Sequence, residues 1–491
     1  MSRSYTESAL FRILNPQSVC FMGASNRINS MGTMALLNTL GSGYRGKVYV
    51  VHPKDRTVQG FSAYSSIAAL PEAPDLLILV VPTVVVPQVL AEAGKRGTRR
   101  AVVITAGYNE VDEAGKELQK QIDEVVEEYR IRYLGPNCLG FVNRSHCINT
   151  TTIPFDGRSG GIAFASHSGS YVCQALPYAE EMDLGIAEWI SLGNEGNLDV
   201  VDSLDYFRRH PGVRVVGLYL EGIRRPEAFR KAALRLAASK PVVALYSGGT
   251  REGARSAASH TGAVSTPGAV MAGFLRQCGI LQAETSLQLL QWLNAFERQP
   301  LPKGPRVAIL TNSGGPGTSM ADQVGKSELV LASFSGEVKE RLSKTLPRTG
   351  SASNPVDLSF ASDLSVYGEK LPRILAQADE VDAIMVYGLA VYASELWKRM
   401  GRRAMKEIPL ETEEMVTDML SAQADTMIQA LTSSGKPVIA ANLDARMDPG
   451  VRRVMVQGNI PVYTAPEESV RAMEALWRYT RIRERIEDHR A

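Results

Sequence analysis

Short apolar runs alternate with longer stretches of helical spacing along the whole chain. The first set of runs falls at residues 18–22, 48–51, 76–81, 101–105 and 131–134. They are nearly continuous in Val, Ile and Leu, as expected of parallel strands covered on both faces. Between them apolar positions recur at helical spacing, most clearly over residues 113–129. Strand–helix alternation of this kind predicts a parallel sheet with right-handed crossovers. The pattern restarts at 161–165, 188–191, 213–220 and 241–246, and again at 306–311, 329–333, 383–387, 437–441 and 461–463. Polar or Pro/Gly-rich joints at 156–160 and 298–304 separate the blocks. The expectation is an α/β chain of three consecutive doubly wound domains, at 1–150, 151–300 and 301–491. Residues 400–424, rich in charge and Met, are expected to form a helical insertion in the third.

Composition narrows the function classes. With 54 Lys and Arg against 52 Asp and Glu, the net charge is only +2, without the basic excess or run of a nucleic-acid binder. The longest apolar candidate, residues 76–90, is broken by Pro82 and Pro87, so no membrane span is expected. The first residues lack the apolar core of a signal peptide. Five cysteines without a CxxC argue against a disulfide framework or structural zinc, so no metal site is expected and a reducing cytoplasm is the default.

Candidate chemistry sits where runs end. The first run leads into MGASNRINSMG, a Gly-rich turn before a helix in which Gly23, Ser25 and Gly32 suit an anion. The second ends in VYVVHPKDR, with no acid aligned for a ribose hydroxyl, which argues against a dinucleotide. VVP, TAGYNE and LGPNCLG end the later runs, and such strand ends form the groove in which doubly wound sheets bind ligands. In the second block, ASHSGS opens a helix whose N-terminus stabilises negative charge, Glu221 closes a strand, and GNEGNLDVVDSLDYF follows another. There Asn194 and Asp199 either join a site or cap the next helix. The stretch GGTREGARSAASHTGAV holds His260 among small residues with no core-forming side chain, and is expected to be a loop. Arg251 and Arg255 within it either steer phosphate or are solvated. In the third block, LTNSGGPGT again joins a strand to a helix through glycines.

The order GAS, VHPK, VVP, TAGYNEV, GPNCLG, and then SHTGA, resembles the NDP-forming acyl-CoA synthetases, the superfamily of succinyl-CoA synthetase and the ADP-forming acetyl-CoA synthetases. The resemblance spans about residues 8–482 and implies a Rossmann-like CoA-binding domain followed by two flavodoxin-like ligase domains. It implies that Gly23, Ala24 and Ser25 meet the phosphates of coenzyme A, while Pro53, Val81, Pro82, Ala106 and Asn137 line the groove for the rest of it. It places His260 at the phosphorylated position, Ser166, Ser168, Gly169 and Ser170 in a phosphate cradle, and Glu221 as the acid that orients the histidine ring. Ser313, Gly314 and Gly315 would begin a second helix aimed at phosphate. Two residues depart from the pattern: His52 stands where Asn is usual, and His167 where many relatives carry Gln.

No Walker-type GxxxxGK[ST] and no block for an ATP-grasp module is found, so the resemblance implies an alpha-type subunit of a hetero-oligomer. A beta-type ATP-grasp partner would bring ATP or ADP with Mg²⁺. The implied reaction joins a carboxylic acid to CoA as ATP becomes ADP and phosphate, through a phosphohistidine on a shuttling loop and an acyl phosphate. The competing readings are a non-catalytic CoA-binding sensor or scaffold and a nucleotide-dependent oxidoreductase built on the first sheet.

Overall fold

The computed structural model describes residues 5–261, 266–358, 365–388, 410–443 and 456–488. It divides into two compact units, Met1–Leu293 and Asn294–Ala491.

The first unit holds two sheets. The first comprises β1 (Ser18–Met22), β2 (Lys47–Val51), β3 (Thr57–Val58), β4 (Phe61–Tyr64), β5 (Leu76–Leu79), β6 (Arg100–Val103) and β7 (Arg132–Leu134), in the order β3-β4-β2-β1-β5-β6-β7. All neighbours are parallel except the β3–β4 hairpin. Every apolar run of the first block became a strand because Cys20, Leu77, Ile78 and Val102 must be covered on both faces. The β3–β4 hairpin escapes the pattern because its strands are short and only partly buried.

The second sheet comprises β8 (Phe141–Asn143), β9 (Ile148–Asn149), β10 (Ser159–Ser166), β11 (Ile186–Ser191), β12 (Val215–Leu220), β13 (Val242–Tyr246) and β14 (Leu281–Ala283), ordered β14-β13-β12-β10-β11-β8-β9. Its parallel core is doubly wound, and β8 joins β11 antiparallel, with β9 antiparallel to β8. The chain thus leaves the first sheet through GPNCLG and immediately forms the edge of the second. One buried apolar cluster runs through both sheets, including Phe21, Leu36, Ile190 and Leu218.

The second unit holds β15 (Arg306–Thr311), β16 (Val330–Leu331), β17 (Val356–Asp357), β18 (Ala383–Tyr387), β19 (Val438–Ala441) and β20 (Val462–Tyr463). Their order is β16-β15-β18-β19-β20, with β17 also parallel to β15. The expected insertion falls partly on the helix Leu410–Thr432, whose Met427, Ile428 and Leu431 are buried in the core of this unit. The rest of 400–424 lies outside the described residues. Among the described residues no helix is long and apolar enough to cross a membrane.

Candidate functional site

Turn chemistry at the carboxyl ends of the first sheet sets one wall of the site. Gly23 follows β1 at φ +103°, and a Cβ there would lie 1.9 Å from the carbonyl oxygen of Val80. Only glycine lets this turn approach β5 so closely. Ala24 is fully buried. The N–H of Ser25 donates to Thr33 Oγ1 at 2.9 Å, and Ser25 Oγ takes the N–H of Arg27 at 3.2 Å, so this residue serves the turn itself. Thr105 braces the next two strand ends, with Oγ1 donating to the Val81 carbonyl at 2.8 Å. Thr83 Oγ1 likewise donates to the Ala106 carbonyl at 2.8 Å.

The second sheet supplies the facing wall. Ser166 ends β10 fully buried, and its hydroxyl donates to the Ser168 carbonyl at 2.7 Å. The hydroxyl thereby shapes the turn that leads into the helix. Ser168 caps the helix Gly169–Glu181, its Oγ accepting from Tyr171 N–H at 3.3 Å. The remaining N-terminal N–H groups of a helix have no acceptor inside it and favour an anion.

Between these walls lies a cavity of about 750 Å³. Val80, Ala106 and Asn137 line it from the first sheet; Ser168, Gly169, Ser170, Glu195, Glu221 and Arg224 line it from the second. The walls are tied together by Asn194. Its Nδ2 donates to Glu110 Oε2 at 2.5 Å, and its Oδ1 accepts from Asn137 Nδ2 at 3.2 Å. Asn194 therefore pins TAGYNE and GPNCLG to the turn after β11. Gly193 permits this contact, since a Cβ there would meet the Pro136 carbonyl at 2.2 Å.

The charged floor of the cavity was only partly foreseen. His167 has a side chain 10% exposed, with Nε2 3.2 Å from Oε1 of Glu195, itself 4% exposed. Nε2 faces this oxygen without making an aligned hydrogen bond to it. The Glu221 N–H donates to His167 Nδ1 at 3.2 Å. Burial disfavours the imidazolium, but Glu195 and then Glu221 outweigh it and hold the ring above its ordinary value, with Arg224 opposing. Cys138 also lines the cavity; burial pushes its thiol up to about 12, and it donates to the Val103 carbonyl, so it is not a thiolate nucleophile.

A CoA binding domain model matches residues 17–144, and a succinyl-CoA ligase-like flavodoxin domain model matches 159–296. The alpha subunit of ADP-forming acetate–CoA ligase II from Pyrococcus furiosus is 33% identical over 464 residues, covering 94% of this chain and 96% of the relative. The chain belongs to the ADP-forming acyl-CoA synthetases. ADP-forming acetate–CoA ligase I of Archaeoglobus fulgidus is 30% identical across 97% of this chain, which spans 65% of that longer protein. The structure of the dinucleotide-forming acetyl-coenzyme A synthetase 1 of Ca. Korarchaeum cryptofilum, complexed with phosphate and ADP, overlays with a TM-score of 0.84 at 30% identity. It covers 98% of this chain and 99% of that one.

In this ligase chain the cavity gathers Ala106, Asn137, Ser168, Gly169, Ser170 and Glu221 from the expected set. Gly23, Ala24, Ser25, Pro53, Val81 and Pro82 sit on the same carboxyl edge of the first sheet without lining the cavity. His260 falls on the helix Arg251–Thr261, and its side chain lies outside the described residues. This corrects the loop expected there: Ala, Arg and Glu are strong helix formers even without core residues, and Thr250 Oγ1 accepts from Gly253 N–H at 3.0 Å at the helix start. Gly314 and Gly315 open the helix Gly314–Gly325 of the second unit, behind Ser313. Asp199 is a helix cap, held by Arg225 at 2.6 Å. Glu195 and Arg224 were missed. The one signal for Glu195 was an acid set inside the turn-forming run GNEGN, where it takes φ +52°.

Proposed function

We propose that this chain is the alpha-type half of a reversible acid–thiol ligase in which His260 carries phosphate. The juxtaposition that carries this reading is the cavity where CoA-type strand ends face a helix N-terminus and the Glu221 carboxylate. A beta-type ATP-grasp subunit, bringing ATP or ADP and Mg²⁺ in a cytoplasmic hetero-oligomer, completes the enzyme. Among the described residues of this chain, no three His, Cys, Asp or Glu side chains converge as metal ligands.

The γ-phosphoryl group passes to a ring nitrogen of His260 and ADP leaves. The segment bearing His260 then delivers it to the cavity, where Ser168, Gly169 and Ser170 stabilise the phosphoryl oxygens through the helix N-terminus. Glu221 accepts the other ring N–H, which fixes the tautomer and keeps the reacting nitrogen available. A carboxylate oxygen of the substrate attacks phosphorus, the P–N bond breaks, and an acyl phosphate forms. The CoA thiolate attacks its carbonyl and phosphate departs. Coenzyme A enters along the carboxyl edge of the first sheet, with its phosphates at Gly23, Ala24 and Ser25 and the remainder along Pro53, Val81, Pro82, Ala106 and Asn137. Gly314 and Gly315 give the second unit a helix N-terminus of its own that suits phosphate. Relatives named as acetate–CoA ligases support a small carboxylic acid as the first substrate to test.

The test is labelling of the reconstituted complex with γ-labelled ATP. Wild type is expected to carry acid-labile label, and His260→Ala none. Label that survives in His260→Ala assigns the phosphoryl carrier elsewhere.

A further inference from the structure

His167 is held from two sides in a way that depends on its protonation. The Glu221 N–H donates to Nδ1, which therefore has to present a lone pair. The single proton of the neutral ring is then on Nε2, facing Glu195 Oε1 3.2 Å away. Glu195 is itself fixed: Oε1 accepts the Val200 N–H at 2.7 Å, and its carbonyl accepts Arg224 Nη1 at 3.1 Å. A proton added to Nδ1 would set two N–H donors against each other in a nearly closed site. The ring then keeps its attraction to Glu195 and gives up the main chain of Glu221.

On the ligase reading above, we propose that His167 is a positioning residue that works only when neutral. Nδ1 accepts the Glu221 N–H while Nε2 faces Glu195, and the ring so holds the Glu221 carboxylate at the cavity. The charged groups that face the ring are Glu195 from the turn after β11, and Glu221 and Arg224 from the turn after β12. Its own turn adds only Ser168 beside it, and the Tyr219 backbone of β12 accepts the His167 N–H at 3.1 Å.

Burial favours the neutral ring, but Glu195 and Glu221 outweigh it and hold the ring above its ordinary value, so a proton competes with the Glu221 N–H for Nδ1. A raised value in the fold means the protonated ring adds stability below the unfolded value, and that stability is lost as pH rises through the folded one. Stability and turnover are therefore expected to respond to this group in opposite directions.

The experiment uses the full chain, labelled inorganic phosphate and acetyl-CoA, with His260 phosphorylation followed from about pH 5.5 to 9, a span centred on imidazole titration. Wild type is expected to lose rate in acid, approaching about tenfold per pH unit below the His167 titration. His167→Gln keeps an acceptor for the Glu221 N–H and a donor for Glu195 without titrating. It is expected to abolish this acid limb and to stay within about threefold of wild type near pH 9. His167→Ala is expected to be slower by about tenfold across the range, in kcat rather than KM. An unchanged acid limb in His167→Gln overturns the proposal. Absence of label in wild type at every pH overturns the ligase reading instead. The positioning claim is then decided by ¹⁵N imidazole spectra, with His167 assigned by difference from His167→Gln: a proton on Nε2 supports it, and one on Nδ1 in the neutral ring overturns it.

Discussion

Asp199 shows how one side chain near the site is spent on structure. Its carboxylate accepts the N–H groups of Val201 and Asp202, closing a capping box, and meets Arg225 with two contacts of 2.6 Å. Burial pushes its pKa up, but Arg225 and the cap outweigh that and hold the carboxyl below its ordinary value. Asp199→Ala is expected to lose about 2 kcal/mol, the sum of a cap and a half-exposed ion pair, in denaturant unfolding. Asp199→Asn keeps a cap oxygen and is expected to lose about half as much. A depressed carboxyl stabilises the fold above its ordinary 3.8 and ceases to as pH falls, so the gap between wild type and Asp199→Asn should close in acid. A gap that is constant with pH would show that the charge on Asp199 contributes nothing. Glu221 was legible because an acid ending an apolar run has to leave the sheet at its ligand edge. His167 was visible as a departure, but not its partner: Glu195 reaches it only through a left-handed backbone turn.

At the scale of elements, the same turn is built twice. Ser166 Oγ donates to the Ser168 carbonyl, and Thr311 Oγ1 donates to the Ser313 carbonyl, each at 2.7 Å, where a buried strand end turns into a helix. A strand-end hydroxyl is thus a turn former in both places. Gly23 shows the stricter constraint. Gly23→Ala puts a Cβ against the Val80 carbonyl at φ +103°, so a loss of at least about 2 kcal/mol is expected from left-handed strain plus the clash. CoA affinity, read by titration calorimetry, should fall at least tenfold, because the strand-end turn must shift. Wild-type affinity in Gly23→Ala would remove this turn from the CoA site. The segment 251–261 makes the converse point: lack of apolar residues is not lack of helix.

Over the whole molecule, burial decides which parts unfold together. A single apolar cluster joins Phe21 and Leu36 of the first sheet's layers to Ile190, Leu218 and Leu275 of the second's. The second unit has its own cluster, around Leu310, Ile384 and Leu431. Calorimetry of the full chain is therefore expected to show both sheets of the first unit melting in one transition. CoA should raise that transition by mass action and move the second sheet with the first. Separate transitions for the two sheets would show that the shared cluster does not couple them. Sequence alone determined the central strands and their parallel winding, because a strand covered on both faces must be apolar throughout and helices must separate it from the next. It also marked the Gly- and Pro-rich strand ends, since turn residues are local. Only the tertiary structure decided that β8 and β9 complete the second sheet and that Asn194 bridges Glu110 to Asn137. It alone brought His167 between Glu195 and Glu221. Those contacts join residues distant in sequence, through turns whose geometry no local pattern encodes.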